Sequence, residues 1–210
     1  MRQPIRRGAL AVIGALLGGM LLVPAVLAAD ASEKSGPHVA FQVLQDRAAF
    51  VSASHGAETI TFDDLASGTL VGNPASFGLV TVTHSAAATF ATNAGVFAPV
   101  SSPNVLAAFR TDGTLEFGDT SLTFAKNAHR VGFFLIVPSG STADVIWTTS
   151  VTATDTKGQS LTVVVTLQGA VGEQQLVGFD SHHALESISF GPAVKVDGLA
   201  VLALDDLMLE

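Results

Sequence analysis

Two motifs with adjacent aspartates lie near opposite ends of the chain. The sequence Thr-Phe-Asp-Asp-Leu occupies residues 61–65, and Ala-Leu-Asp-Asp-Leu occupies residues 203–207. Placing a carboxylate among apolar residues is costly unless a positive group compensates it. Calcium is a hard cation that binds carboxylate and carbonyl oxygens and tolerates irregular geometry. We therefore predict that one structural calcium ion joins the two motifs, and its candidate ligands are Asp63, Asp64, Asp205 and Asp206.

The strand-like context of these motifs limits how many carboxylates can contact the ion. Adjacent side chains of a regular strand point to opposite faces, so each motif should supply about one direct ligand. We favour Asp63 from the first motif and either Asp205 or Asp206 from the second, while Asp64 caps the following turn. The alternative is that both motifs only begin or end solvated turns, where aspartate is common for reasons unrelated to metals.

Other residue patterns do not favour catalysis. Residues 180–183, Asp-Ser-His-His, are of types typical of a transition-metal or catalytic site, but adjacent histidines on a strand face opposite ways. The chain has no Gly-x-Ser-x-Gly turn and no His-Glu-x-x-His motif. Asp63 and Asp205 have the residue type of a glycosidase carboxylate pair, but their context is more typical of ligands or turn formers. We expect a protein that is not an enzyme.

The N-terminus has the three regions of a secretory signal peptide. Three arginines among the first seven residues precede an apolar run at 9–23, and small residues follow at 25–29. This pattern predicts a signal peptide at 1–28 that is cleaved near Ala28, and therefore a periplasmic or extracellular protein. The alternative is a retained membrane anchor, since the apolar run approaches the roughly 18–20 residues that span a bilayer.

The remainder of the chain is acidic and lacks cysteine. Beyond residue 28 it carries seven basic and 18 acidic residues, a net charge of −11. Nucleic acids and anionic membranes are bound through clustered Lys and Arg, so neither is an expected partner after signal cleavage. Without disulfides, stability must come from the core and from any bound metal. We expect a flexible lead-in at 29–37 and a single domain at 38–210, a size that buries a sizeable core.

The pattern of apolar residues predicts one short helix followed by strands. Asp46 can cap a helix at 47–53. Beyond it, runs rich in Val, Thr, Ile and Phe are separated by turn residues. Residues 133–137 are apolar without alternation, which indicates a central strand buried on both faces, and residues 155–158 form a hairpin turn. Strands are predicted near 39–44, 58–62, 79–84, 104–109, 113–117, 121–124, 130–137, 144–154, 160–167, 174–179, 185–190 and 199–209.

This spacing of strands predicts an all-β fold. About a dozen short strands with turns every 8–12 residues are typical of a sandwich or barrel. The best fit is a two-sheet antiparallel β-sandwich, a jelly roll, with one short N-terminal helix. First and last strands commonly lie side by side in that architecture, which would bring the two acidic motifs together.

Several motifs resemble a known family of proteins. Phe-Asp-Asp-Leu-Ala-Ser-Gly-Thr at 62–69, Val-Gly-Phe at 131–133 and 177–179, and Leu-Asp-Asp-Leu at 204–207 resemble exported bacterial β-sandwich proteins of the PEP-CTERM-associated type. The resemblance does not extend to the sorting signal, because no Pro-Glu-Pro motif is present. The same motifs are similar to MAM and carbohydrate-binding jelly rolls, in which an early and a late acidic residue share a structural calcium. The resemblance implies a fold and a metal rather than an activity.

Sugar binding is the function that this fold suggests. Jelly-roll lectins stack sugar rings on exposed aromatic side chains, and this chain has no Tyr and a single Trp, Trp147. Strand alternation groups Trp147 with Thr149 and leaves open whether it lies in the core or at the surface. The segment at 70–103 is either an exposed loop that meets ligands or a cover folded across one sheet.

These patterns favour a secreted, non-catalytic β-sandwich module with a structural calcium. Its expected role is adhesion or binding at the cell surface or in the extracellular matrix, with an extracellular polysaccharide or a cell-surface component as partner. The alternative is a glycan-binding or glycan-cleaving protein that uses the edge loops of the sandwich, with Trp147 as a possible ligand contact.

Overall fold

The computed structural model describes most of the chain beyond residue 40. The described residues are 41–54, 56–85, 88–92, 97, 99–101, 104–110, 119–137, 146–168, 173–192, 194–195, 198–199 and 203–210. The predicted signal peptide and lead-in, and the strand predicted at 113–117, lie outside them. The described part of the chain contains no helix with the length and apolar character needed to cross a membrane.

One helix and fourteen strands make up the described secondary structure, which confirms the all-β prediction. The helix is α1 (Arg47–Ala53), and the Asp46 side chain accepts a hydrogen bond from the Ala49 amide as its N-terminal cap. The strands are β1 (Phe41–Leu44), β2 (Glu58–Ile60), β3 (Leu70–Val71), β4 (Ala75–Phe77), β5 (Val80–His84), β6 (Ala88–Thr92), β7 (Leu106–Arg110), β8 (Thr120–Ile136), β9 (Ile146–Asp155), β10 (Ser160–Gln168), β11 (Gln174–Phe190), β12 (Val194–Lys195), β13 (Gly198–Leu199) and β14 (Ala203–Leu209).

The described strands form one antiparallel sheet. Its main order is β13-β12-β9-β11-β8-β14-β7-β6-β3, and β1, β2, β4, β5 and β10 pair alongside this path. Strands β8 and β11 have 17 residues each and combine pairs of strands that the sequence predicts separately. The register with β8 shifts between Asp180 and Ser187, and β11 continues there, where the sequence predicts a break between strands at 174–179 and 185–190. Strand β8 pairs with β5, β11 and β14, and β11 pairs with β1, β8 and β9, so these two long strands join the two halves of the sheet.

Apolar side chains are buried on both faces of β8. The main core includes Phe62, Val82, Leu122, Phe133, Leu135, Trp147, Phe179, Leu204 and Leu207. The helix-side core, on the opposite face, consists of Phe50, Phe97, Val105, Ala107, Phe134, Ile136, Leu176, Ala203 and Met208. Phe133 and Phe134 are consecutive and enter different cores, so the prediction of a strand buried on both faces is confirmed.

Two glycines create the seat for α1. Gly132 on β8 lies directly opposite Gly178 on β11, within the two Val-Gly-Phe motifs. A Cβ atom at Gly132 would lie 2.7 Å from the ring of Phe50, and one at Gly178 would lie 2.8 Å from the same ring. The bare backbone therefore admits the fully buried Phe50 side chain, which fixes α1 on this face.

Candidate functional site

The second acidic motif lies in β14, in the interior of the sheet. Strand β14 pairs with β8 on one side and with β2 and β7 on the other. The first strand, β1, pairs with β11 and not with the last strand, whereas β2, which precedes the first motif, pairs with β14. The first and second motifs are brought to the same region of the sheet.

A bulge interrupts β14 at the two aspartates. The register with β8 shifts between Asp205 and Met208, and Asp206 has a φ of 45°. Leu204 and Leu207 are three residues apart yet both enter the main core, whereas regular alternation would place them on opposite faces. The extra residue leaves both aspartates outside the main core. The expected opposition of the two side chains therefore does not hold here, because it assumed a regular strand.

Asp205 is a buried acceptor of hydrogen bonds from a nearby segment. Its Oδ2 accepts from the amides of Val100 at 2.7 Å and Ser101 at 3.1 Å, and its Oδ1 accepts from its neighbour's amide at 2.9 Å. The side chain is fully buried. Burial raises the pKa of Asp205 to about 7, and the charge of Asp206 adds to the rise while the amide donors oppose it.

Asp206 is buried with one oxygen that lacks a partner. Its side chain is 7% exposed, and its Oδ1 has no hydrogen-bond partner in the described part of the chain. Its Oδ2 lies 3.9 Å from the guanidinium of Arg47, which is itself 60% exposed. That guanidinium also lies 5.3 Å from the ring centre of Phe134. Arg47 thus compensates the buried carboxylate only partly.

The first motif contacts the same segment at its other end. The Oδ1 of Asp63 accepts a hydrogen bond from the amide of Asn104 at 2.9 Å. The Asn104 side chain donates to the carbonyl of Leu65 at 2.6 Å. Asn104 is fully buried, and its Oδ1 has no hydrogen-bond partner among the described residues. Asp64 is exposed to solvent.

The two motifs are therefore joined through one segment of backbone. We name the two motifs, together with residues 99–101 and 104, the acidic junction. Sequence reasoning identified the aspartates but missed Asn104 and the donors at 100 and 101, because backbone amides have no sequence signature.

Within the described part of the chain, no three His, Asp or Glu side chains are grouped so that they could hold a metal ion.

Much of the segment at 70–103 forms strands of the sheet itself, β3 to β6. Phe90 is fully buried in the main core, and Phe97 is buried in the helix-side core. Val100 packs against the helix-side core as well. Both alternatives treated this segment as a loop, and neither describes the part at 70–92, which contributes strands to the sheet.

In the Asp-Ser-His-His sequence at 180–183, the aspartate forms an ion pair with Arg130. The Asp180 carboxylate accepts hydrogen bonds from Arg130 at 2.6 and 3.2 Å, across the β8–β11 ladder. The rings of His182 and His183 are 5.0 Å apart, edge to face. One oxygen of Asp180, Oδ2, is therefore engaged by the Arg130 guanidinium.

Trp147 lies in the main core and is 5% exposed. It shares its face of β9 with the buried Thr149, whereas Ile146 is 42% exposed, as alternation predicts. A buried indole offers no open face on which a sugar ring could stack.

Comparison with known proteins gives no relative: no family model, no curated protein and no solved structure matches this chain.

Proposed function

We propose that the protein is an exported, non-catalytic β-sandwich module of the jelly-roll type, in which the acidic junction binds a structural calcium ion. Its role is adhesion or binding at the cell surface or in the extracellular matrix. The observation that carries the proposal is two buried oxygens that have no hydrogen-bond partner among the described residues: Oδ1 of Asp206 in the last motif, and Oδ1 of Asn104, whose amide donates to Asp63 in the first motif.

The sandwich architecture is supported by side chains from both halves of β8 that enter the main core. Residues 120–124 of β8 pair with β5, and residues 131–136 pair with β14. Leu122 from the first half and Leu135 from the second enter the same main core. A sheet that bent along its longest strands around this common core would have two layers facing each other, as a sandwich does.

The chemistry of the donors fits a hard cation. Calcium takes carboxylate, amide and carbonyl oxygens, so the suitable groups here are Asp206, Asn104 and Asp63. The ion would neutralise the carboxylate of Asp206, which Arg47 leaves partly uncompensated. The oxygens of Asp205 already accept amide hydrogen bonds, so we assign Asp205 to holding the segment at 100–101. Asp64 is exposed at the surface of the acidic junction, and we do not assign it as a direct ligand.

The proposed location and partner are supported by charge and by the N-terminal pattern. A chain with 18 acidic residues and the regions of a signal peptide suits an exported protein that meets cations and neutral or cationic polymers. The candidate partner is an extracellular polysaccharide or a cell-surface component.

Export and binding can be tested on the protein made in a bacterial host. We expect the secreted form to begin at Ala29 by N-terminal sequencing, and to cosediment with cell-envelope polysaccharide in calcium. Retention of the first 28 residues in a membrane fraction, or cosedimentation that is the same with an unrelated acidic protein, would overturn this proposal.

A further inference from the structure

Strand β10 is the longest edge of the described sheet. Its nine residues pair with β9, and no other described strand pairs with it. The other described strands with a single partner, β1, β2, β3, β4 and β13, have four residues or fewer. Natural sheets protect long edges with Lys, Pro or a bulge, because unpaired backbone groups there recruit another strand. Residues 160–168 contain no charged residue and no proline, and their register with β9 is unbroken.

The sequence of this edge is symmetric. Residues 161–167 read Leu-Thr-Val-Val-Val-Thr-Leu, which is the same in both directions with Val164 at the centre. In an antiparallel pair of two such strands centred on Val164, each residue lies opposite one of its own type. Thr opposite Thr and β-branched residues opposite each other are favourable cross-strand pairs.

We propose that β10 pairs with β10 of a second copy of this chain, antiparallel and centred on Val164, to give a twofold dimer with a continuous sheet. The described part of each copy has one such edge, and the pairing uses it on both copies. The assembly therefore closes at two subunits and does not extend into a fibre.

Burial along β10 agrees with this pairing. Val165 and Leu167 are fully buried in the main core, whereas Leu161 and Val163 are only partly buried. The symmetric register places Leu161 beside the partner's Leu167 and Val163 beside the partner's Val165. The partner strand would thus cover the apolar side chains that the open edge leaves in contact with water. Val164 points to the other face and is 69% exposed.

Charge permits the approach of two copies at this edge. The β9–β10 hairpin, Ile146–Gln168, carries one acid and one base, Asp155 and Lys157, both at the turn. Its net charge is zero, whereas the chain as a whole is acidic. Charge repulsion between two copies is therefore low at this edge.

Cysteine cross-linking tests the register directly, because the chain has no cysteine of its own. We expect the Val164→Cys variant to form a disulfide-linked dimer under mild oxidation, since directly opposite Cβ atoms lie about 4.5–5.5 Å apart. Thr162→Cys alone should not cross-link, because Thr162 lies opposite the partner's Thr166 and about 13 Å from the partner's Thr162. A mixture of Thr162→Cys and Thr166→Cys proteins should cross-link. Val51→Cys, at an exposed valine on α1, is the matched control.

Sedimentation velocity tests for the dimer without covalent cross-linking. The unmodified protein should show a reversible increase in mass between micromolar and millimolar concentration. Val164→Lys should weaken the dimer about tenfold or more, because like charges then lie opposite each other, and Val51→Lys should leave it unchanged. A protein that stays monomeric, equal effects of the two lysines, or cross-linking of Thr162→Cys alone as fast as Val164→Cys would overturn the proposal.

Discussion

Gly132 and Gly178 lie directly opposite each other on β8 and β11, and the ring of Phe50 occupies the space that their side chains would otherwise fill. The repeated Val-Gly-Phe motif thereby has a physical explanation. Phe at the third position enters the main core, and Gly at the second leaves room on the opposite face for the helix. The helix in turn carries Arg47 toward the buried carboxylate of Asp206.

Replacing Gly132 by alanine should destabilise the fold by about 1–3 kcal/mol, because overpacking a well-filled site forces side chains and backbone to move. For a domain of this size the melting temperature should fall by about 2–4 °C per kcal/mol. Gly72→Ala is the matched control, because its added Cβ would meet only the carbonyl oxygen of Pro74 at 3.8 Å. Combining Gly132→Ala with Phe50→Leu should cost less than the sum of the single changes, since the two side chains compete for one space. Additive losses would contradict this explanation of the motif.

Replacing Asp63 by alanine should lower the free energy of unfolding in EDTA by about 1–3 kcal/mol. The change leaves the buried amide of Asn104 without its acceptor, and an unpaired buried donor carries its full desolvation cost. Asp64→Ala, at the exposed neighbour, should change stability by less than about 0.5 kcal/mol. Urea denaturation of both variants provides the measurement. Equal losses would show that the junction does not depend on the contact between Asp63 and Asn104.

The raised pKa of Asp205 predicts an unusual pH dependence in EDTA. The folded protein holds a proton on this carboxyl up to about pH 7, whereas the unfolded chain releases it near its ordinary pKa of 3.8. Between these values the folded state binds more protons, so the contribution of Asp205 to stability falls as pH rises, by at most about 1.4 kcal/mol per pH unit. The Asp205→Asn variant cannot titrate at this position. The difference in unfolding free energy between the original protein and this variant should therefore decrease from pH 4 to pH 7, and a flat difference would contradict the raised pKa.

The sequence was sufficient for the features that depend on local patterns. The cap at Asp46, the hairpin turn at 155–158 and the doubly buried run at 133–137 each follow from residue types a few positions apart. The bulge at Asp205 and Asp206 was not predictable in the same way. It requires a positive φ at a residue other than glycine, and it is stabilised by contacts with α1 and with residues 100–101, which are distant in sequence.

The long strands β8 and β11 were missed for a related reason. Residues 125–129 and 181–184 are polar or small and have the composition of turns. In the structure they continue as strand with long-range backbone partners at a few positions. The Ala125 amide donates to the carbonyl of Leu79, the His129 amide donates to the carbonyl of Glu210, and Ser181 lies opposite Phe41 of β1. Long-range pairing outweighs local preference at such positions.

Calcium-dependent stability of the acidic junction tests the central claim most directly. At a dissociation constant of about 0.1–1 mM, typical of extracellular modules, 10 mM calcium should stabilise the protein by about 1.4–2.7 kcal/mol over EDTA. This corresponds to a rise in melting temperature of about 3–10 °C. Asp206→Asn should abolish the calcium-dependent rise in melting temperature. The same variant should not lower stability in EDTA, because it removes a buried charge that is poorly compensated. Asp64→Asn, at an exposed position, should retain the rise. A melting temperature that does not respond to calcium, or that responds equally in Asp206→Asn, would contradict the account.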